Sequence, residues 1–383
     1  MKAYLDNSAT TQPSAAVAAA VSRMLAEEWY NPSALYKPAM DIQKKAEEVR
    51  AACLQAAGAE GNRVVFTSGG TEADNLAILG HLKTRRNPGK VLISQAEHPA
   101  VSACAEEIRR MGHRVEEIPL CPDGIIDLDA LGRMMDSDTV LICVMQVNNE
   151  TGAVNPLREI ARLRDSKASG AAIHADGVQG FLRTKIDFNR TGIQSYALSG
   201  HKIHAMKGTG ALILQRQHPV RPIQFGGGQE DNLRSGTENT FGILALGEAI
   251  RTWDPEANGR MRALKNRLRE ELLSRIPEAA VNGPEENPET CAPHILNIAL
   301  PPVRSQTMLF ALEGDGIYVS AGSACASRKQ KISPVLRAMG IATGRADCSL
   351  RFSLSPMTTE EEILYAAERT VFHWETLKKY TRR

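Results

Sequence analysis

Lys202 ends an apolar run in SYALSGHKIHAMKGTGALILQ, residues 195–215, with Ser199 and His201 beside it and a glycine turn after it. A lysine held at a half-buried strand end gives up its proton more easily than a free one. Such an amine is a nucleophile for an aldehyde, the chemistry of imine-forming cofactors. Taken alone, Lys202 reads more simply as a surface lysine in a hairpin. Asp176 closes the apolar run of HADGVQ, and a buried carboxylate needs a cation or an N–H beside it. A protonated pyridine nitrogen is one such partner; a helix start is the simpler one. His98, in QAEHPA, is a flat ring that can stack on an aromatic group or carry a proton, or else a cap before Pro99. Asn149, in VNNETG, is a hydrogen-bonding group for a carboxylate, or a turn former.

The seven cysteines stand at 53, 104, 121, 143, 291, 325 and 348. Their number is odd and none shares a CxxC spacing, which predicts a reducing, cytoplasmic setting. Most lie in apolar runs, where a thiol is a small hydrophobe. Cys325 instead sits in the polar SAGSACASRKQK, followed by Arg328, Lys329 and Lys331. Nearby cations favour the nucleophilic thiolate; an incidental loop cysteine beside a solvated charge run is the plain alternative. Arg351 interrupts the apolar SLRFSLS and, if buried, requires a carboxylate or phosphate partner. Ser68-Gly69-Gly70-Thr71 joins a strand to a helix, where free N–H groups and the helix dipole favour an anion. The spacing is not that of a GxxxxGK[ST] loop.

These residues need elements to place them. Apolar runs predict strands at 64–66, 91–94, 114–118, 139–145, 171–175, 195–198 and 211–215. Helical spacing predicts helices at 13–29, 38–57, from 72 to 80, 100–111, 127–135 and 156–168. Strands alternating with helices imply a largely parallel sheet covered on both faces, with ligands at the carboxyl ends of the strands. Thr71, His98, Asn149, Asp176, Gln179, Ser199, His201 and Lys202 all fall at those ends. A composition shift near 253–259 marks a domain boundary. Beyond it, residues 294–300, 310–320 and 349–355 read as strands and 333–339 and 358–378 as helices, with Thr358 and Glu361 as a capping box. The 383 residues suit two domains. A net charge of +2 gives no broad field for nucleic acid. No apolar run predicts a membrane span or signal peptide.

Together, YLDNSATT, NPS, FTSGGTEADNLAI, EHPA, VNNETG, HADGVQ, SGHKIHAMKGTGAL, GGGQE, LRSGTEN, GSACAS and LRFSLSPMTTEEE resemble, in order and nearly end to end, the cysteine desulfurases of the class V aminotransferase group. The resemblance implies an α/β fold of the type I pyridoxal-phosphate enzymes, with a mainly parallel seven-stranded sheet. It implies a large domain of 13–255 and a small one of 1–12 and 256–383 that carries a nucleophile loop at about 320–333. It implies pyridoxal 5'-phosphate carried by Lys202, with Asp176 at the ring nitrogen, His98 on the ring and Gln179 at its hydroxyl. Gly70, Thr71, Ser199 and His201 would hold the phosphate, joined by Thr237 of a neighbouring subunit in a homodimer. Asn149 and Arg351 would grip the carboxylate of L-cysteine, and Cys325 would take its sulfur as a persulfide, releasing alanine. The loop length after Cys325 matches the longer-loop members, which feed acceptor proteins such as iron–sulfur scaffolds or thiolation enzymes. The basic RKQK segment would then meet an acidic acceptor. Tyr36, Asp231, Asn232 and Ala326 depart from the family pattern. The rivals are a selenocysteine lyase, another pyridoxal-phosphate lyase or aminotransferase of this fold, and a cofactor-free sulfur-pathway adaptor.

Overall fold

A computed structural model describes residues 1–321 and 333–380. Cys325, Ala326, Arg328, Lys329 and Lys331 lie outside the described residues. The strands are β1 (Ala3–Tyr4), β2 (Arg63–Thr67), β3 (Lys90–Ser94), β4 (Arg114–Ile118), β5 (Thr139–Cys143) and β6 (Ala172–Asp176). They continue as β7 (Ser195–Ser199), β8 (Gly210–Leu214), β9 (Ala280–Val281), β10 (Ile295–Ala299), β11 (Ile317–Tyr318) and β12 (Ser349–Ser353). The helices begin with α1 (Ala15–Glu27), α2 (Lys37–Ala56), α3 (Gly70–Leu82), α4 (Pro99–Ser102), α5 (Cys104–Arg110), α6 (Leu128–Met134) and α7 (Leu157–Lys167). They end with α8 (Phe188–Thr191), α9 (Thr240–Arg251), α10 (Ala257–Arg275), α11 (Ser305–Gly314), α12 (Pro334–Ala338), α13 (Thr343–Ala346) and α14 (Glu360–Leu377).

Seven strands form one sheet in the order β2-β8-β7-β6-β5-β3-β4. Only β8 runs against the rest, pairing antiparallel with β2 and β7. The inner strands β3, β5, β6, β7 and β8 are buried at every residue. This is why they read as unbroken apolar runs: both faces are covered. Val17, Val49, Ile160 and Ile243 of α1, α2, α7 and α9 pack with Ile142, Ile173 and Ile213. Ile78 and Ile108 of α3 and α5 pack with Val91, Leu141 and Cys143. The edge strand β4 keeps Arg114 and Glu117 in water, charges that discourage further pairing.

A second apolar core gathers Leu5, Leu268, Leu272, Ile298, Leu312, Phe352 and Trp374. Its antiparallel sheet has the order β12-β10-β9, beside a two-stranded β1–β11 pair. Trp253 packs against both cores.

Three local expectations give way. Residues 310–320 are not a strand: α11 reaches Gly314, with Met308 and Leu312 buried four apart on one face, and only Ile317–Tyr318 is extended. The helix expected at 100–111 breaks into α4 and α5 at Ala103. The capping box of α14 is Thr359 with Glu362, one residue later than predicted; both threonines precede a glutamate by three, so spacing alone does not separate them.

Candidate active site

Because β2, β3, β5, β6 and β7 all run one way, their carboxyl ends share an edge. A cavity of about 240 Å³ opens there. It is lined by Gly70, Thr71, His98, Asn149, Asp176, Gln179, Ser199, His201, Lys202 and Arg351. Ten of the predicted site residues therefore meet, although they span the chain from 70 to 351. Thr237 is exposed and is not among the residues lining this cavity. Cys325 lies outside the described residues.

Lys202 closes a short 3-10 turn, Gly200–Lys202, at the end of β7. Its Nζ donates to the carbonyls of Ser8 and Ala9, at 2.6 and 2.7 Å. Burial, then the positive charges of Arg351 and Arg183, lower its affinity for a proton to a pKa of about 7, against the pull of Asp6 and Asp176. The amine is thus poised to give or take a proton near neutrality.

Asp176 ends β6, and its Oδ1 accepts from the Val178 N–H at 2.8 Å. Burial raises its pKa, with His98 and Lys202 acting against that. Two further carboxyls stand close by. Asp74, on α3, lines the cavity and its Oδ1 lies 3.1 Å from His174 Nε2, while His174 Nδ1 lies 2.9 Å from Ser195 Oγ. Burial pushes His174 down to about 3, so its ring is neutral. Glu97 accepts from the Met145 N–H at 2.6 Å, and burial with the Asp176 charge pushes it up to about 8. Asp74 is likewise held well above the usual carboxylate range by burial and by Asp176 and Glu97. Burial thus makes all three carboxyls weaker acids than usual, and a cation brought among them would favour their ionised forms.

His98 is the helix cap that its place before Pro99 allowed, and it also faces the cavity. Its Nδ1 accepts from the Ala100 N–H at 3.1 Å, capping α4, and its ring lines the cavity. Burial lowers its pKa, keeping it neutral. Gln179 is fixed by Nε2 donating to Ser8 O at 2.9 Å and by His294 Nε2 at 3.3 Å. His201 Nδ1 lies 3.0 Å from Thr10 Oγ1, and burial pushes its pKa down to about 4. A Cβ at Gly70 would stand 2.6 Å from the Val178 side chain, so only glycine lets this turn close on the cavity wall. Arg351 is 1% exposed. It donates to Asp6 Oδ1 at 2.6 Å and to the Asn149 carbonyl at 2.9 Å.

Sequence reasoning assigned no role to Asp74, Glu97, Arg183 or the Ser8–Ala9 carbonyls. Asp74 and Glu97 sit inside two of the quoted motifs, TEADN and EHPA. A turn of helix from Gly70 places Asp74 on the cavity side. Carbonyls carry no residue signature and leave no signal.

Comparisons with known proteins now bear on this geometry. Residues 3–365 match the family model for class V aminotransferases. The chain is 38% identical over 362 residues to cysteine desulfurase 2 of Trichormus variabilis, covering 94% of this chain and 90% of that one. It is 36% identical to cysteine desulfurase NifS of Azotobacter vinelandii, covering 94% and 89%. A solved NifS-like protein superposes with a TM-score of 0.90 at 28% identity, covering 98% of this chain and all of the other. A solved structure of SspA in complex with cysteine superposes with a TM-score of 0.80 at 27% identity, covering 94% of this chain and 100% of the other.

Proposed function

Since the chain belongs to the class V aminotransferase family, and within it to the cysteine desulfurases, we propose that it takes sulfur from L-cysteine onto Cys325 and releases alanine. The observation that carries this reading is the meeting of Lys202, Asp176, His98 and Arg351 in one cavity. Enzymes of this family work with pyridoxal 5'-phosphate, and the residues present fit it. The cavity offers an amine with a pKa near 7 in Lys202, a buried acid in Asp176 and a flat neutral ring in His98. Lys202 would hold the group, Asp176 would face its ring nitrogen and Gln179 its hydroxyl. Gly70, Thr71, Ser199 and His201 would hold its phosphate, with Thr237 supplied by the other subunit of a homodimer. When bound, the group supplies an electron sink for charge developing at the substrate's α-carbon.

The chain's own residues do the rest. Arg351 and Asn149 bind the substrate carboxylate, a forked match of guanidinium to carboxylate. Lys202 Nζ, once free, removes and returns the proton at the α-carbon, with His98 as a second neutral base. Cys325, as thiolate, attacks the substrate sulfur. The new S–S bond forms as the C–S bond breaks, its electron pair remaining with the substrate carbon, which is then reprotonated. The two apolar cores support a division into a large domain of 13–255 and a small domain of 1–12 and 256–383. The persulfide would pass to an acceptor such as an iron–sulfur scaffold or a thiolation enzyme. Among the described residues no helix is long and apolar enough to cross a membrane; we read the setting as cytoplasmic.

The test is direct. Incubation with L-cysteine should release alanine and add one sulfur atom to the peptide containing Cys325, and borohydride should fix the coenzyme to Lys202. Cys325→Ala should abolish sulfur release. Sulfur found on another cysteine, or undiminished release by the variant, would overturn the assignment.

A further inference from the structure

Arg183 is 2% exposed. It sits directly behind the lysine, its Nη2 donating to the main-chain carbonyl of Lys202. Its Nε and Nη1 find no hydrogen-bond partner among the described residues. Its guanidinium carbon lies 5.8 Å from the centre of the Trp253 ring, where the two cores meet. A buried cation with no carboxylate is costly and calls for a compensating role.

The backbone that delivers it is itself strained. Leu182 adopts φ +64°, a left-handed conformation that disfavours branched and bulky side chains. It is pinned there by Asn258 Nδ2, which donates to Leu182 O at 2.8 Å. The Arg183 N–H closes the turn on Gly180 O at 2.9 Å. Strain of this kind persists where surrounding structure fixes a useful geometry.

The charged and titratable groups that bear on Lys202 are Arg351 from β12, Arg183, Asp6 from the N-terminal segment and Asp176 from β6, with the His98 and His201 rings alongside. Arg351 is already paired with Asp6, and a substrate carboxylate would neutralise it further. Arg183 has no such counter-charge among the described residues, so its field stays constant through the catalytic cycle.

Resting on the reading above, we propose that Arg183 is a positioning residue that anchors the Lys202 main chain and, through its uncompensated charge, keeps the lysine nitrogen a proton acceptor. A neutral strut would do the first and not the second.

The experiment titrates the visible absorption of the substrate-free holoenzyme against pH. In Arg183→Gln, which keeps a donor but loses the charge, the midpoint should rise by about one pH unit. In Arg183→Lys, which keeps the charge, it should stay within about 0.3 unit of wild type. The acid limb of kcat/KM should move in the same way. A midpoint unmoved in a folded, coenzyme-loaded Arg183→Gln overturns the proposal. So does an Arg183→Lys midpoint that shifts as far as that of Arg183→Gln. Should Arg183→Gln fail to fold, Arg183→Lys decides: a retained midpoint supports the charge role and a displaced one overturns it. Failure of borohydride to fix the coenzyme to wild-type Lys202 is the failure of the functional reading itself, visible before any variant is made, and takes this proposal down with it.

Discussion

Single side chains here are defined by the company burial forces on them. Glu97 is the plainest case. Its Oε1 accepts a main-chain N–H, its Oε2 finds no partner among the described residues, and its pKa is pushed up to about 8 by burial and by Asp176. An ordinary glutamate in the unfolded chain titrates near 4.3. Between those values the folded protein binds one more proton than the unfolded chain. Stability contributed by this group is therefore fully present below the unfolded pKa and is lost as pH rises towards 8, by at most about 1.4 kcal/mol per unit. Glu97→Gln should flatten that fall. Thermal midpoints of cofactor-free protein from pH 5 to 8 should decline less in the variant than in wild type; parallel curves would show that Glu97 is ionised throughout.

At the scale of elements, the fit of strand to turn decides what the cavity can hold. A Cβ on Gly177, the residue after Asp176, would stand 1.9 Å from Tyr196 Cζ and 2.3 Å from its Oη. Tyr196 Oη donates to Gln146 Oε1 at 2.6 Å. Gly177→Ala must therefore displace the tyrosine, break that bond and tilt Asp176. We expect a loss of about 1–3 kcal/mol in urea unfolding and weaker coenzyme retention. Gly259→Ala is the control, because in α10 its Cβ meets nothing within 4 Å and helix propensity favours alanine by up to about 1 kcal/mol. Equal losses in both variants would contradict the packing argument.

The buried strands were readable because sheets covered on both sides demand continuous apolar runs. The positions of Lys202, Asp176 and His98 followed from strand ends. Residues 310–320 misled because Phe310, Ala311 and Leu312 are consecutive, and a short apolar run does not declare its period; the helical pair, Met308 and Leu312, begins before the stretch, and only Ile317–Tyr318 is extended. Arg183 stayed hidden because its meaning lies in lacking a carboxylate, which only three dimensions reveal.

Across the whole molecule, the first dozen residues join the two cores. Leu5 N–H donates to Tyr318 O at 2.8 Å, Ser353 N–H to Leu5 O at 2.7 Å, and Thr11 N–H to His201 O at 2.9 Å. Between them, Ser8 and Ala9 present the carbonyls that hold Lys202. Removing residues 1–9 should leave a protein with weakened coenzyme binding and a displaced absorption midpoint, read by visible spectroscopy after gel filtration. Wild-type colour and midpoint in the truncated chain would argue that the segment is ornamental.

That crossing also orders events in time. Leu5 is synthesised more than three hundred positions before Tyr318 and Ser353, and must wait for them before it finds its partners. Contacts so distant in sequence form late. A growing polypeptide therefore carries Lys202 long before it carries a working centre, and reactive sulfur cannot be made until Ser353 has followed it out of the ribosome.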